Sequence, residues 1–254
     1  MNPAAPVDRS YYSQGLVEEV AEELEKQLKS DPDNVQLRFS LANVYLRQGN
    51  PEAAVREFET CVARQPTPEL QSSLGKAALA AGDYEKASKA FVAVAALQPR
   101  WPDVQYNMGL VARSLGNTDQ ALEHFSKAVE LNPRYREALY ERAQLLEELG
   151  RGDEALVDYK RVIALFFAEF QFSDSNAFRY DISVLFNNPE LLDESIRQLR
   201  RLVDKHPGFA DAHHKLGQAL QAKGLDREAA LSFRRALEIN PRYETARKAF
   251  WKKV

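Results

Sequence analysis

The chain of 254 residues lacks the features that mark several common classes of protein. Its single cysteine excludes an intramolecular disulfide and a cysteine-rich metal cluster. No apolar run reaches the roughly 18–20 residues that a membrane-spanning helix needs. The net charge of −3 gives no overall reason to expect nucleic-acid binding. The first residues, MNPAAPVDRSYYSQG, lack the charged and apolar segments of a secretory signal, so we expect a cytoplasmic protein.

A regular repeat covers most of the chain. One series of prolines recurs with spacings of 34, 33, 34, 74 and 34 residues. A second series, a small residue followed four positions later by a large one, has spacings of 33, 34, 34, 40 and 34. Because both series contain the same six-residue insertion, the period is a strong signal. The prolines are Pro32, Pro66, Pro99, Pro133, Pro207 and Pro241, and the large residues are Phe58, Phe91, Phe125, Tyr159, Leu199 and Phe233.

Each repeat unit has the pattern of two amphipathic helices. In the unit from Pro102 to Pro133, apolar residues recur at helical spacing, are interrupted by a Gly-Asn pair, and then resume. Gly109 is small where the two helices should approach closely, and Phe125 is large enough to fill the space between neighbouring units. A hairpin of this kind cannot bury its apolar faces alone, so we expect the hairpins to stack on one another.

Four segments carry the strongest match to a known family. They are LANVYLRQGNPEAAVREFETCVARQP, LGKAALAAGDYEKASKAFVAVAALQP, MGLVARSLGNTDQALEHFSKAVELNP and LGQALQAKGLDREAALSFRRALEINP. These segments resemble the tetratricopeptide repeat family. The resemblance implies an all-α, right-handed solenoid of about six helix–turn–helix units, with a concave groove lined by the first helix of each pair.

The repeat register divides the chain into an array with a cap at each end. Residues 1–12 are expected to form a flexible tail, residues 13–30 an N-terminal capping helix, and residues 31–254 the array with its C-terminal cap. The fifth unit is enlarged and degenerate. The predicted units are 35–66, 68–99, 102–133, 136–167, 176–207 and 210–241, and the C-terminal cap is 244–254.

Catalytic or metal-binding constellations are not evident in the sequence. The segment SLGKAALA lacks the upstream glycine and the strand of a nucleotide-binding loop. Adjacent His213 and His214 point about 100° apart on a helix and cannot grip one metal ion together. Cys61 stands on the packed side of a second helix and is expected to be a small core residue. We therefore predict a protein that is not an enzyme and that has no cofactor and no metal site.

The resemblance places a partner-binding surface on the first helices. Equivalent places there are occupied mostly by aromatic rings, and two interpretations of this row remain open: rings that bind a partner, or rings that pack against the next helix. The predicted groove residues are Phe39, Asn43, Arg47, Lys76, Tyr106, Leu110, Arg113, Tyr140, Gln144, Glu147, Tyr180, His214 and Gln218.

Acidic residues outnumber basic ones on this predicted surface, which favours a peptide with apolar anchors and some basic character. Some members of the family bind the acidic tail of heat-shock chaperones through a clamp of Lys, Asn and Arg. In that register this chain has only Asn43 in common, and Asp103 stands where the clamp needs a base. We therefore predict no such clamp.

The segment from Leu165 to Phe186 is rich in phenylalanine and interrupts the repeat. Two interpretations remain open: its rings pack inside an enlarged fifth unit, or Phe167, Phe170 and Phe172 leave an exposed patch. The sequence thus predicts a non-catalytic scaffold or adaptor that binds a peptide segment of a partner protein. The alternatives are a homo-oligomer assembled through the end caps or through residues 165–186, and an accessory subunit of an enzyme.

Overall fold

The computed structural model of the protein describes residues 9–168, 188–243 and 247. These residues form twelve α-helices and no strand, which confirms the predicted all-helical fold. The helices are α1 (Arg9–Ser30), α2 (Val35–Arg47), α3 (Pro51–Arg64), α4 (Pro68–Ala80), α5 (Tyr84–Leu97), α6 (Pro102–Ser114), α7 (Thr118–Leu131), α8 (Arg136–Glu148), α9 (Gly152–Ala168), α10 (Pro189–Lys205), α11 (Ala210–Ala222) and α12 (Asp226–Ile239).

The chain divides after Pro133 into two compact units, here called unit 1 and unit 2. In unit 1, α1 packs on α2, and three hairpins follow: α2 with α3, α4 with α5, and α6 with α7. In unit 2, α8 pairs with α9 and α11 pairs with α12, while α10 contacts both α9 and α11. The first helix predicted before α10 falls within residues 169–187, outside the described residues.

The turn inside each hairpin depends on a glycine. Gly82, between α4 and α5, has a φ of +75°, which a residue with a Cβ rarely adopts. Asp83 then begins α5 as its N-cap, and its carboxylate accepts a hydrogen bond from the backbone N–H of Lys86 at 3.0 Å. That hydrogen bond lowers the pKa of Asp83. Positive φ angles recur at the equivalent turns, at Gly49, Gly116, Gly150 and Gly224.

Close helix crossing explains the pairing of a glycine with a phenylalanine in three of the described hairpins. A Cβ added at Gly109 would lie 2.6 Å from the Phe125 ring, and Phe125 is fully buried. Gly75 meets Phe91 in the same way, at 2.8 Å. The predicted close approach at Gly109 is therefore confirmed. The absence of a side chain on one helix makes room for the large ring of the other.

Helix α1 covers the apolar side of α2. Ala21 and Leu28 of α1 form a buried cluster with Leu41 of α2, and the Tyr45 hydroxyl donates a hydrogen bond to Glu25 at 2.7 Å. The helix begins at Arg9, earlier than the predicted Ser13, because it continues through Gly15 without a break. A glycine inside a helix costs only about 1 kcal/mol relative to alanine, so it does not by itself end one.

Helix α9 extends to Ala168, past the place where a proline closes the other second helices. It has 17 residues, whereas α3, α5 and α7 have 14 each. The fourth second helix thus continues further because no proline stands where the other second helices are closed. The predicted C-terminal cap lies outside the described residues except for Arg247, whose backbone N–H donates to the carbonyl of Tyr243 at 3.0 Å.

One buried ion pair distinguishes the hairpin of α8 and α9. The Arg142 guanidinium donates to both carboxylate oxygens of Asp158 at 2.7 and 2.8 Å, and the Asp158 side chain is only 3% exposed. Arg161 lies 3.7 Å from the same carboxylate. At the places of Arg142 and Asp158, the hairpin of α4 and α5 has buried Leu74 and Ala90.

Cys61 lies in the core of unit 1, as predicted. It is fully buried, and its Sγ donates to the carbonyl of Val35 at 3.6 Å. Desolvation raises the pKa of this thiol, so the thiolate needed for nucleophilic chemistry is disfavoured.

Candidate functional site

The candidate site is the solvent-facing side of the first helices, here called the first-helix surface. In unit 1 it belongs to α2, α4 and α6, and in unit 2 to α8 and α11. In α4, α6 and α11 a glycine packs on the large ring of the second helix, as Gly109 packs on Phe125, and a small alanine holds the same place in α2 and α8. The predicted groove residues stand three positions before that small residue, directly after it, or four to five positions after it. Those that are described remain at least partly exposed, with the exception of His214.

The aromatic row rests on the rings of the second helices. The Phe39 and Phe58 ring centroids lie 5.6 Å apart in an edge-on arrangement, and those of Tyr106 and Phe125 lie 5.9 Å apart. In unit 2, the rings of Tyr140 and Tyr159 lie 5.9 Å apart, also edge-on. Phe39, Tyr106 and Tyr140 are nevertheless only half-buried. The row therefore combines the two interpretations left open by the sequence: one side of each ring packs, and part of it stays accessible.

His214 differs from the rest of the row. Its ring packs on Phe233 with a centroid distance of 5.6 Å, and Tyr243 packs on it at 4.8 Å. The Tyr243 hydroxyl lies 3.3 Å from His214 Nδ1, and the histidine is only 5% exposed. The prediction that His214 forms part of an accessible binding surface is corrected by this burial, because Tyr243 covers the ring.

The burial of His214 has a measurable consequence for stability. Desolvation, reinforced by Lys215 and opposed by Asp211, lowers the pKa of His214 from 6.5 to about 4. When the pH falls below 6.5, the unfolded chain takes up a proton that the folded chain excludes. The folded state therefore loses stability between pH 6.5 and pH 4, by at most about 3 kcal/mol for a pKa difference of this size.

We expect His214→Phe, which copies Phe39 of the first repeat, to reduce this loss. Urea unfolding at a series of pH values should give a shallower decline below pH 6.5 for the variant. His124 and His213 also have pKa values lowered by desolvation, and both remain in the variant. The difference between the two proteins therefore isolates His214, and equal slopes would contradict the assignment.

Some polar residues of the first-helix surface in unit 1 make no ion pair among the described residues. Asn43 donates to the carbonyl of Phe39 at 2.8 Å and is half-buried. Arg47 and Lys76 are exposed, and neither has an ion-pair partner among the described residues. Leu110 and Arg113 are half-buried on α6. This surface thus offers amide, cationic and apolar groups.

The first-helix surface in unit 2 is acidic on α8. Glu147 is exposed and accepts a hydrogen bond from the Tyr159 hydroxyl at 3.0 Å, while Gln144 on the same helix is half-buried. On α11, Gln218 is half-buried and its Oε1 has no hydrogen-bond partner among the described residues. Tyr180 lies outside the described residues.

Asp103 and Asn107 of α6 stand in the register of the acidic-tail clamp that the sequence predicts to be absent. Asn107 is buried, and its amide donates to the carbonyl of Asp103 at 2.6 Å, so it does not face solvent. Asp103 itself is exposed and carries the wrong charge to bind a carboxylate.

The second predicted patch is only partly within the described residues. The backbone of Phe167 belongs to α9, whereas Phe170 and Phe172 lie outside the described residues. Both interpretations of these rings, packing inside the fifth unit and an exposed patch, therefore stay predictions. The pairing of Arg142 with Asp158 was not predicted from the sequence, although an arginine where other first helices have Leu or Met was a visible signal.

Two further properties of the described residues bear on function. They contain no group of three or more His, Cys, Asp or Glu side chains placed to hold a metal ion. Among the described helices, none has both the length and the apolar composition required to cross a membrane.

Comparison with known proteins identifies the family. Models of the tetratricopeptide repeat match residues 11–77, 106–166 and 190–248, well over half of the chain. The chain belongs to the tetratricopeptide repeat family. Tetratricopeptide repeat proteins are scaffolds for protein–protein interaction and are generally not catalytic, and the scaffold role follows from this fold.

Three known proteins illustrate the similarity. The TPR repeat-containing protein PA0015 of Pseudomonas aeruginosa is 41% identical over 71 residues, which are 28% of this chain and 68% of that protein. The MamA protein is 25% identical with a TM-score of 0.55, over 64% of this chain and 95% of that one. The pilF protein of Pseudomonas aeruginosa is 22% identical with a TM-score of 0.55, over 84% of this chain and 93% of that one.

Proposed function

We propose that this protein is a scaffold or adaptor that binds a peptide segment of a partner protein along its first-helix surface. The observation that supports the proposal is that some residues of the first helices pack within the hairpins while others remain exposed. Gly109 packs against Phe125 inside its hairpin, whereas Lys76 and Arg47 are exposed and have no ion-pair partner among the described residues. Groups that the fold does not use are available to a ligand.

The half-buried rings suit the role of anchors. Tyr106 and Tyr140 each pack on a ring of their own second helix, so little side-chain freedom remains to be lost when a ligand binds. A tyrosine also offers apolar area together with a hydroxyl group, and such residues are enriched among those that dominate binding energy.

The charges on unit 2 favour a ligand with basic character. Helix α8 carries Glu137, Glu141, Glu147 and Glu148 on or beside its exposed side, and Asp211 lies in the first turn of α11. We propose that the ligand combines apolar anchors with lysine or arginine residues that this acidic surface attracts. Such attraction should weaken as salt is added, because surface charges are screened.

Peptide selection tests the proposal. Two displayed libraries with the same apolar content, one with basic and one with acidic residues, would be panned against the purified protein. We expect the tightest peptides to come from the basic library, and preferential binding of acidic peptides would contradict the charge assignment.

A matched pair of variants then locates the site. Tyr140→Ala should weaken binding of the selected peptide at least about tenfold, as expected when a central aromatic anchor is lost. Val157→Ala on α9 removes an exposed apolar residue away from the first helices and should leave the affinity unchanged. Isothermal titration calorimetry measures both, with circular dichroism to confirm folding. Equal affinities for Tyr140→Ala and the wild-type protein would place the site elsewhere.

A further inference from the structure

Helix α1 has the register of a second helix. Val20 lies 34 residues before Ala54, and Leu24 lies 34 residues before Phe58. The same spacing relates Gly15 to the turn glycine Gly49. The family match likewise begins at residue 11, within this helix. Because α1 runs unbroken through Gly15, the described residues contain no first helix that could pair with it.

The side of α1 that would meet a first helix is open to solvent. Ala54, Ala87 and Ala121, which stand at the place of Val20 in second helices that have a first helix, are completely buried. In contrast, Val20 is 42% exposed, and Leu16, one turn earlier, is 61% exposed. The opposite side of α1 is already covered by α2. Leu16 and Val20, together with Glu19 and Glu23, define what we call the α1 face.

The charge of the α1 face points to a basic occupant. Helix α1 carries five glutamates between Glu18 and Glu25, and all five are exposed. Lys26 and Lys29 are the lysines of this helix, so acidic groups prevail along it. An apolar strip with acidic flanks is complementary to an amphipathic helix whose apolar strip has basic flanks.

The C-terminal residues of this chain have that composition and the complementary register. Residues 244–254, ETARKAFWKKV, stand where a further first helix would begin, and Arg247 makes a helical hydrogen bond to Tyr243. Four basic residues lie in this segment: Arg247, Lys248, Lys252 and Lys253. Trp251 stands at the place that Gly109 and Gly217 occupy in other first helices.

The residue sizes are reversed relative to an ordinary hairpin. In the described hairpins a glycine or alanine on the first helix stands opposite a phenylalanine or tyrosine on the second, as with Gly109 and Phe125. For residues 244–254 and α1, the large residue is Trp251, in the register of a first helix, and the smaller Leu24 belongs to α1. In both arrangements one large ring fills the space between the two helices. Because leucine is larger than glycine, the pair of Leu24 and Trp251 requires a larger distance between the helix axes than Gly109 and Phe125 do.

We propose that the α1 face binds residues 244–254 of a second copy of this chain. The contact completes one hairpin from two molecules. It joins different surfaces of the two copies, so it is a head-to-tail contact that can add further copies. Its small area predicts weak association, and its charge predicts that salt weakens it.

Light scattering and sedimentation of the full chain test this self-association. The apparent mass should rise above the 28.8 kDa of the monomer as the concentration increases from micromolar to millimolar, and added salt should reverse the rise. Val20→Glu and Trp251→Ala should each weaken association at least about tenfold. Val92→Glu, which places the same charge at a site on α5 that is 53% exposed, should leave it unchanged.

Mixing the two defective variants gives the decisive result. The Val20→Glu chain keeps an intact C-terminal segment, and the Trp251→Ala chain keeps an intact α1 face. The mixture should therefore form a dimer that does not grow further, whereas each variant alone stays monomeric. Leu16→Glu serves as a second α1 variant if Val20→Glu changes the circular dichroism spectrum.

Three outcomes would overturn the proposal. The wild-type chain could remain monomeric at millimolar concentration. Val20→Glu could abolish association while Trp251→Ala has no effect, which would indicate contact between two α1 helices. Association could also survive both substitutions, which would indicate another surface such as residues 165–186. None of these outcomes bears on peptide binding at the first-helix surface.

Discussion

Replacing Arg142 with leucine should lower the free energy of unfolding by about 3–5 kcal/mol, because it leaves the buried carboxylate of Asp158 without its main partner. The two hydrogen bonds of 2.7 and 2.8 Å are lost, and the Asp158 side chain is 3% exposed. Arg161, at 3.7 Å, compensates only in part. Urea unfolding followed by circular dichroism measures the effect.

The double variant Arg142→Leu with Asp158→Ala provides the matched comparison. It copies the buried pair Leu74 and Ala90 of the second repeat. Since a buried ion pair can be replaced by apolar residues at little cost, stability should return to within about 1 kcal/mol of the wild-type value. If the double variant is as unstable as Arg142→Leu, the loss comes from changed packing and the ionic explanation is wrong.

Replacing Phe125 with alanine should also have a large effect, lowering the free energy of unfolding by about 3–5 kcal/mol. Phe125 is fully buried, fits against Gly109, and supports the ring of Tyr106. The truncation leaves a cavity at the hairpin crossing, which the helices can close only in part. Val92→Ala, at an exposed place in unit 1, should change stability by no more than about 0.5 kcal/mol.

A second substitution tests whether the fit between Phe125 and Gly109 causes this effect. In the wild-type chain, Gly109→Ala puts a Cβ 2.6 Å from the Phe125 ring, and we expect a loss of stability. In the Phe125→Ala chain the same change meets open space, and the better helix propensity of alanine should stabilise by about 1 kcal/mol. The same sign in both backgrounds would contradict the steric explanation.

Much of the fold was predictable because the residues that form one helix-to-helix contact recur in several repeat units. The place of Gly109 and Phe125 recurs in other units, and a single physical requirement, room for a ring between two crossing helices, explains both residues. The extended α9 was predictable as well, since the absence of a closing proline is visible in the sequence. Features of this kind can be predicted from the residues of one repeat unit.

The candidate site was less predictable, because accessibility depends on residues far along the chain. His214 shares its place in the repeat with Tyr140, yet it is covered by Tyr243, 29 residues away. The sequence shows two aromatic residues but not that one lies over the other. The pairing of Arg142 with Asp158 is similar. Arg142 stands where other first helices have Leu or Met, and only the contact shows that the Asp158 carboxylate neutralises its charge.

By itself, the sequence determined the helical hairpin repeat and the family, because period, turn glycines and small-to-large pairing are local properties. Only the tertiary structure decided which row residues remain accessible and that α1 leaves Leu16 and Val20 uncovered. The physical reason is that exposure is a property of the surrounding atoms. Residues with the same place in a repeat are buried or exposed according to whether a neighbouring helix is present to cover them.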